Sequence, residues 1–219
     1  GSGLVGSEMC IRDRLVANTC AADFLQKNKA PCLYRVHEPP SQDRLEKARA
    51  TLAPFGVTLP GGDSPTPGDY AKVLESIADR PDKAMIQTIL LRSMQQAVYS
   101  PHNVGHFGLA YDAYTHFTSP IRRYPDLLVH RAIRGILRRR KYVPKILVEP
   151  NEADVPVQTR EIICKAKPDD KKKVAHIDLW EKLGLLCSAH ERRADEASYD
   201  VMALSLIHIS EPTRPEPIS

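Results

Sequence analysis

The sequence predicts a helix-rich α+β fold, and three observations carry that assignment. Apolar residues recur at helical spacing through most of the chain, one short stretch alternates as a strand does, and a Thr-Ser-Pro turn joins a second alternating stretch to an arginine-headed helix. From Leu15 to Lys29, Val16, Cys20 and Phe24, with Ala17, Ala21 and Leu25 beside them, fall at the spacing of a helix that Pro31 ends. Cys32 to Glu38 alternates as a strand, and Ser41 then opens a helix reaching about Leu52. Pro60, Gly61 and Gly62 read as a turn. Thr66, Pro67 and Asp69 supply an N-cap, a first helical residue and a capping-box acid for a helix ending near Asp79. Pro81 starts the next helix, with Ile86, Ile89, Leu90 and Met94 facing the core, and Ser100-Pro101 closes it.

The most informative stretch runs from His106 to His130, HFGLAYDAYTHFTSPIRRYPDLLVH. Tyr114, His116 and Thr118 share one face at period two, and Ala113, Thr115 and Phe117 share the other, which suits a half-buried strand. Ser119 then stands as N-cap and Pro120 as the first helical residue, where its missing N–H costs nothing. Arg122, Asp126, His130 and Arg134 recur every four residues along one helical face, with Arg123, Leu127 and Arg131 adjoining. This helix should end near Lys141, followed by a looser, strand-poor connection from Pro144 to Asp170. Ser188, with Glu191 three residues on, has the form of a capping box for the final helix.

Arginine at the head of such a helix suits an anionic, phosphate-bearing ligand. Its planar fork holds a phosphate through two charge-assisted hydrogen bonds, and the helix start adds backbone donors and a positive dipole end. Asp126, one turn below Arg122, would fix that guanidinium while leaving donors free to point outward. The same spacing also describes a solvated ladder of ion pairs contributing about 0.3–0.5 kcal/mol each. Tyr111 and Tyr114 could stack on bases or pack in the core, and His116 could donate to phosphate or ribose or be a satisfied structural residue.

Composition sets broader bounds. Hydrophobic residues make up 42% and charged residues 26%, which excludes a chain disordered over its whole length. The formal charge of +4 permits RNA binding without demanding it. Arg138, Arg139, Arg140 and Lys141 form one basic run and Lys171 to Lys173 a second, each readable as a solvated face or as a nucleic-acid contact. Cys20, Cys32, Cys164 and Cys187 show neither a C-x-x-C pair nor zinc spacing, so reduced thiols and a cytoplasmic location are expected. The charges within LVGSEMCIRDRLVANTCAADFL exclude a signal peptide or membrane span there, and no membrane partner is expected.

The run LLRSMQQAVYSPHNVGHFGLAYDAYTHFTSPIRRYPDLLVHRAI resembles the signature of the ribonuclease II family, with its RNB catalytic domain. Further similarity lies in ANTCAADFLQKNKAPCLYRVHEPP, LPGGDSPTPGDY and CSAHERRADEASYDV, so the resemblance covers about Leu15 to Ala203. It implies the C-terminal part of an RNB-type catalytic domain from a processive 3′-to-5′ exoribonuclease, which hydrolyses single-stranded RNA to nucleoside 5′-monophosphates with Mg2+. Arg122 and Arg123 are then the catalytic arginines, and Tyr111, Tyr114, His116, Thr118, Ser119, Glu191 and Arg192 the RNA-binding residues, with Asp126 and His130 in support. Asn18 falls where the family helix turns toward the active site, without the glutamate that the family places shortly before it. The family's Mg2+ ligands come from an aspartate motif, G-x-D-A-x-D-x-D-D, that nothing here matches. Asp169 and Asp170 read as a solvated linker, so no metal ligand is assigned and the chain alone is expected to be inactive. A non-catalytic RNA-binding module is the alternative, and a helix-rich interaction segment that binds no RNA is a third reading.

The two ends carry a further expectation. One back-translation of Leu4 to Asp13, reverse-complemented, encodes Leu204 to Arg214, so both ends are readable as one DNA sequence on opposite strands, resembling a translated sequencing-library adaptor. Residues 1–14 and 204–219 are accordingly set apart as non-native tails around a partial domain at 15–203. The upstream half of the catalytic domain and the OB-type RNA-binding domains would then be missing partners.

Overall fold

A short antiparallel ribbon sits between helices and divides the core into two faces. The computed structural model describes residues 2–146, 150–151, 155–165 and 176–210. The ribbon pairs β1 (Tyr34–Val36) with β2 (Val98–Ser100), Arg35 lying opposite Tyr99. Strand alternation sends Tyr34, Val36 and Val98 to one face, where they pack with α1 (Ser2–Lys27) and with Val129 and Ala132 of α5 (Tyr124–Leu137). Leu33 and Tyr99 turn to the other face, against Leu128 of α5 and Trp180, Leu183 and Cys187 of the long final helix α7 (Ile177–Ser210). A separate cluster joins α2 (Gln42–Leu52), α3 (Pro67–Ser76) and α4 (Lys83–Ser93) around Leu45, Leu52, Tyr70, Val73, Ile86 and Leu90.

Several elements form as their local chemistry dictates. Ser41 holds extended backbone at the start of α2, and Thr66 and Asp69 make a reciprocal capping box at α3. Ser64 N–H closes the Gly61 turn at 3.1 Å. The last helix of that cluster uses Ile86 and Leu90 as its buried residues, with Ile89 and Met94 packed partly against them.

Elsewhere tertiary packing decides. On α1 the buried face is Asn18, Ala21, Ala22 and Leu25, whereas Val16 and Cys20 are exposed. A polar residue belongs to the core face because its amide is hydrogen-bonded there through both its nitrogen and its oxygen, a signal that an apolar count passes over. The α4 helix ends at Ser93, and Val98–Ser100 is a strand, not the end of a helix at Pro101. The stretch from Ala113 to Phe117, read as a strand from its alternation, joins no regular ladder.

The arginine helix begins at Tyr124, not at Pro120. A helix from Pro120 could not run through Pro125, whose ring would meet the Ile121 carbonyl and whose nitrogen has no hydrogen to offer it; at the second helical position neither matters. The helix also ends sooner than expected, at Leu137. Between Pro144 and Asp170 lies a nine-residue helix, α6 (Val157–Lys165), in place of a wholly loose connection. Asp169, Asp170 and the run from Lys171 to Lys173 lie outside the described residues, as does the side chain of Cys164. Ser188 is interior to α7, because the apolar row Ile177, Trp180, Leu183 and Cys187 carries the helix eleven residues further upstream. Its hydroxyl accepts from Tyr99 N–H at 3.0 Å, tying α7 to β2. Gly184 makes the same contact close: a Cβ there would stand 2.8 Å from the Tyr99 carbonyl oxygen.

Trp180 is 1% exposed and meets the Tyr142 ring in a T-shaped contact, with centroids 6.4 Å apart. Trp180→Ala should lower stability by about 3–5 kcal/mol through lost burial and the cavity left. Urea denaturation followed by circular dichroism checks this, with Trp180→Phe expected to retain most of the difference.

Candidate nucleic-acid interface

Two side-chain clamps shape the segment ahead of α5. Asn18, 4% exposed, donates from Nδ2 to the Tyr114 hydroxyl at 2.8 Å and accepts at Oδ1 from Phe117 N–H at 3.0 Å and Thr118 N–H at 3.3 Å. On the ribbon side, Arg35 N–H donates to the Tyr114 carbonyl at 2.8 Å, and the Thr115 hydroxyl donates to the Leu33 carbonyl at 2.6 Å. The chain then turns at Ser119, whose carbonyl accepts from Arg122 and Arg123 N–H at 3.3 and 3.1 Å. Asp126, with no exposure, accepts from Ser119 N–H at 2.8 Å and from Arg123 Nη2 at 2.9 Å. Arg14, from the first fourteen residues, donates to the Ser119 hydroxyl at 3.1 Å.

The turn gives the two arginines different duties. Asp126 fixes Arg123, not Arg122: with Arg122 in the turn instead of the helix, the four-residue spacing no longer brings it over the carboxylate. Arg122 is exposed, and its guanidinium makes no hydrogen bond or ion pair with the described residues. Both arginines line a cavity of roughly 640 Å³ between the start of α5 and α7, together with Tyr99, Tyr124, His190 and Glu191. Glu191 forms an ion pair with Arg35, whose guanidinium lies 4.6 Å from the centre of the Tyr99 ring. Arg192 instead faces outward and pairs with Glu196 at 3.1 Å.

A continuous row of rings leads into this cavity. His37, His106, Tyr114, His116 and Tyr99 meet edge to face in that order, at centroid separations between 5.1 and 5.8 Å. Tyr114 is 6% exposed, and Tyr111 stacks over it at 5.9 Å, so Tyr111 is the outer, half-buried member of the pair. The Tyr99 hydroxyl and His116 Nδ1 are 2.8 Å apart. Burial, then the Arg123 and Arg35 cations, brings His116 down to about 3. Burial, then His37 and Arg35, brings His106 down to about 4. His130 stacks on Phe117 at 4.1 Å and hydrogen-bonds its carbonyl at 2.8 Å, bracing the segment from below.

The structure thus gathers Arg122, Arg123 and Glu191 at one cavity, sets His116 behind Tyr99, and uses Thr118, Ser119, Asp126 and His130 to hold the turn. Arg35 and Tyr99 escaped the sequence reading. A lone cation within an apolar strand was a signal for the first, whereas Tyr99 lay in what looked like a helix end. Among the described residues no three His, Cys, Asp or Glu side chains converge to hold a metal. Asp126 is engaged by Ser119 and Arg123 and Glu191 by Arg35, so these residues do not fit the Mg2+ cage that the family resemblance implies.

The chain is 47% identical over 189 residues to Ribonuclease R of Escherichia coli (strain K12), a match covering 85% of this chain and 20% of that protein. Its fold is similar to that of Mycoplasma genitalium RNase R in complex with ribose methylated single-stranded RNA, with a TM-score of 0.57 and 26% identity over 84% of this chain and 26% of the other. The structure of yeast Ssd1, a pseudonuclease, aligns with a TM-score of 0.52 and 26% identity, covering 60% of this chain and 17% of that one. The chain therefore spans about a fifth of the length of the E. coli protein. A profile of the RNB domain matches residues 9–139, from within α1 through the ribbon, the Ser119 turn and the whole of α5, and on that match the chain belongs to the RNB domain family.

Proposed function

We propose that this chain is the arginine-bearing part of an exoribonuclease catalytic domain, and that by itself it binds single-stranded RNA without cutting it. The observation that carries this reading is the contrast at the cavity mouth: Arg123 is held by a buried carboxylate, while the neighbouring Arg122 is exposed with its guanidinium unengaged by the described residues. Such a pair suits one fixed and one adjustable grip on adjacent phosphates. A solved relative is named for its complex with single-stranded RNA, which supports the ligand class.

In the longer parent, the proposed reaction is processive 3′-to-5′ hydrolysis of RNA to nucleoside 5′-monophosphates. Mg2+ would supply the activated water and the support for the leaving oxygen, held by aspartates that the described residues do not bring together. Here Arg122 and Arg123 would grip phosphate, Tyr111 would flank a base, and the Arg35–Glu191 pair over the Tyr99 ring would set the floor near the strand's end. The remaining catalytic half and the OB-type domains are proposed partners, residues 1–14 and 204–219 are proposed adaptor-derived tails, and the proposed location is the cytoplasm. Among the described residues no helix is long and apolar enough to cross a membrane.

A second reading, a non-catalytic RNA-binding module, is favoured by the likeness to a pseudonuclease fold and by the lack of a metal cage among the described residues. The two separate when the reading frame is extended upstream. An RNA-degrading parent gains Mg2+-dependent release of nucleoside monophosphates, and a binding module gains none.

For the chain as it stands, incubation with labelled RNA and Mg2+ should release no nucleoside monophosphate on a denaturing gel; release would refute the inactivity. Arg122→Gln should weaken RNA binding and flatten the plot of log affinity against log salt by about 0.7, the value of one single-strand phosphate contact. Fluorescence anisotropy across a salt series measures both. The histidine row limits the usable pH: His116 and His106 stay neutral in the fold down to about 3 and 4, yet take protons near 6.5 when unfolded. The unfolded state binds more protons in that interval, so stability should fall as pH drops below 6.5, read as a lower urea midpoint at pH 5 than at pH 7.5.

A further inference from the structure

At the far end of α5 from the cavity, the chain builds a second cationic feature that the proposed site does not use. Arg131, Arg134 and Arg138 lie within two helical turns, about 10 Å of axis, and Arg140 and Lys141 fold back beside them. The return is made by Arg139, which takes left-handed backbone at φ 52°, and by Arg140 N–H, which donates to the Gly135 carbonyl at 2.9 Å. Gly135 permits it: a Cβ there would stand 2.9 Å from the Arg140 carbonyl oxygen and 3.2 Å from Tyr142 Cβ. The result is a shallow groove of roughly 330 Å³ lined by five cations and Tyr142, with no carboxylate among its lining residues.

Complementing the helix dipole explains only part of this cluster. That effect is confined to the last turn, which accounts for Arg134 and Arg138 but not for Arg131, Arg140 or Lys141. None of the five is in an ion pair with a described residue. Five like charges held on a folded loop repel one another, and an extended polyanion laid along the groove relieves that repulsion. The one aromatic ring in the lining, Tyr142, packs against Trp180. Recognition there would be of backbone charge, independent of sequence.

We infer that the Arg131–Lys141 groove is a second phosphate-contacting surface for single-stranded RNA, holding the strand about 20 Å from the Arg122 cavity. The inference rests on the RNA-binding reading above and adds a separate contact to it. The two are distinguished by parallel salt titrations, using a fluorescein-labelled oligoadenylate long enough to span α5 and the 219-residue chain. The triple variant R134Q/R138Q/R140Q should flatten the log–log salt slope by about 2, three contacts at roughly 0.7 each, against about 0.7 for R122Q. An unchanged slope in the triple variant, with R122Q still reduced, overturns this inference alone; no RNA binding by the unsubstituted chain overturns both. A second measurement needs no substitution: saturating RNA should protect Lys141 from acetylation, read by mass spectrometry, while exposed Lys72 on α3 is labelled equally with and without RNA. Equal labelling of Lys141 in both conditions would also refute the groove.

Discussion

A carboxylate withdrawn entirely from solvent, that of Asp126, is the constraint from which the site's form follows. Burial of such a charge is unfavourable unless donors meet it, and here the Ser119 N–H and the Arg123 guanidinium both reach Oδ2 at the positive end of α5, while Oδ1 is buried without a hydrogen-bond partner. Removing a partner from a buried pair of this kind typically costs about 3–5 kcal/mol, so the turn is fixed for as long as the fold is. That rigidity places Arg122 on a tight bend beside a helix start and leaves it facing the cavity. Asn18 secures the preceding stretch in the same way, three hydrogen bonds from one amide holding backbone that joins no regular sheet.

The ribbon distributes these constraints through the molecule. One of its faces receives α1 and the other receives α7, and α5 contributes Val129 and Ala132 to the first and Leu128 to the second. Arg35 and Tyr99, opposite one another in the ribbon, therefore emerge at the junction of α5 and α7. Polar chemistry accumulates there because the backbone pairing is complete while the ring edges of the aromatic row still offer directional contacts. The neutral imidazoles in that row leave arginine as the source of positive charge at the cavity mouth.

What was legible in the sequence was local. Thr66 with Asp69 announced a helix start correctly because every atom of a capping box lies within four residues. Ser188 with Glu191 had the same lettering and failed, because the apolar row upstream buried more surface than a helix break would allow. The motif's residues were identifiable, but their geometry was not: Pro125, five positions beyond the proline chosen as the helix start, decided the boundary and so exchanged the partners of Asp126. Arg35 and Glu191 lie 156 positions apart, and no periodicity within either element reveals that they meet.

The close seating of α7 on β2 has a consequence for how errors would travel. At Gly184 two backbones touch where any larger residue would act as a wedge, and α7 continues as an unbroken rod beyond it. Glu191 lies seven residues along that rod, about 10 Å from the pivot, so a single methyl group at the fulcrum would swing the carboxylate away from Arg35 by leverage alone. A position bearing no charge and touching no ligand thereby governs the alignment of the cavity floor.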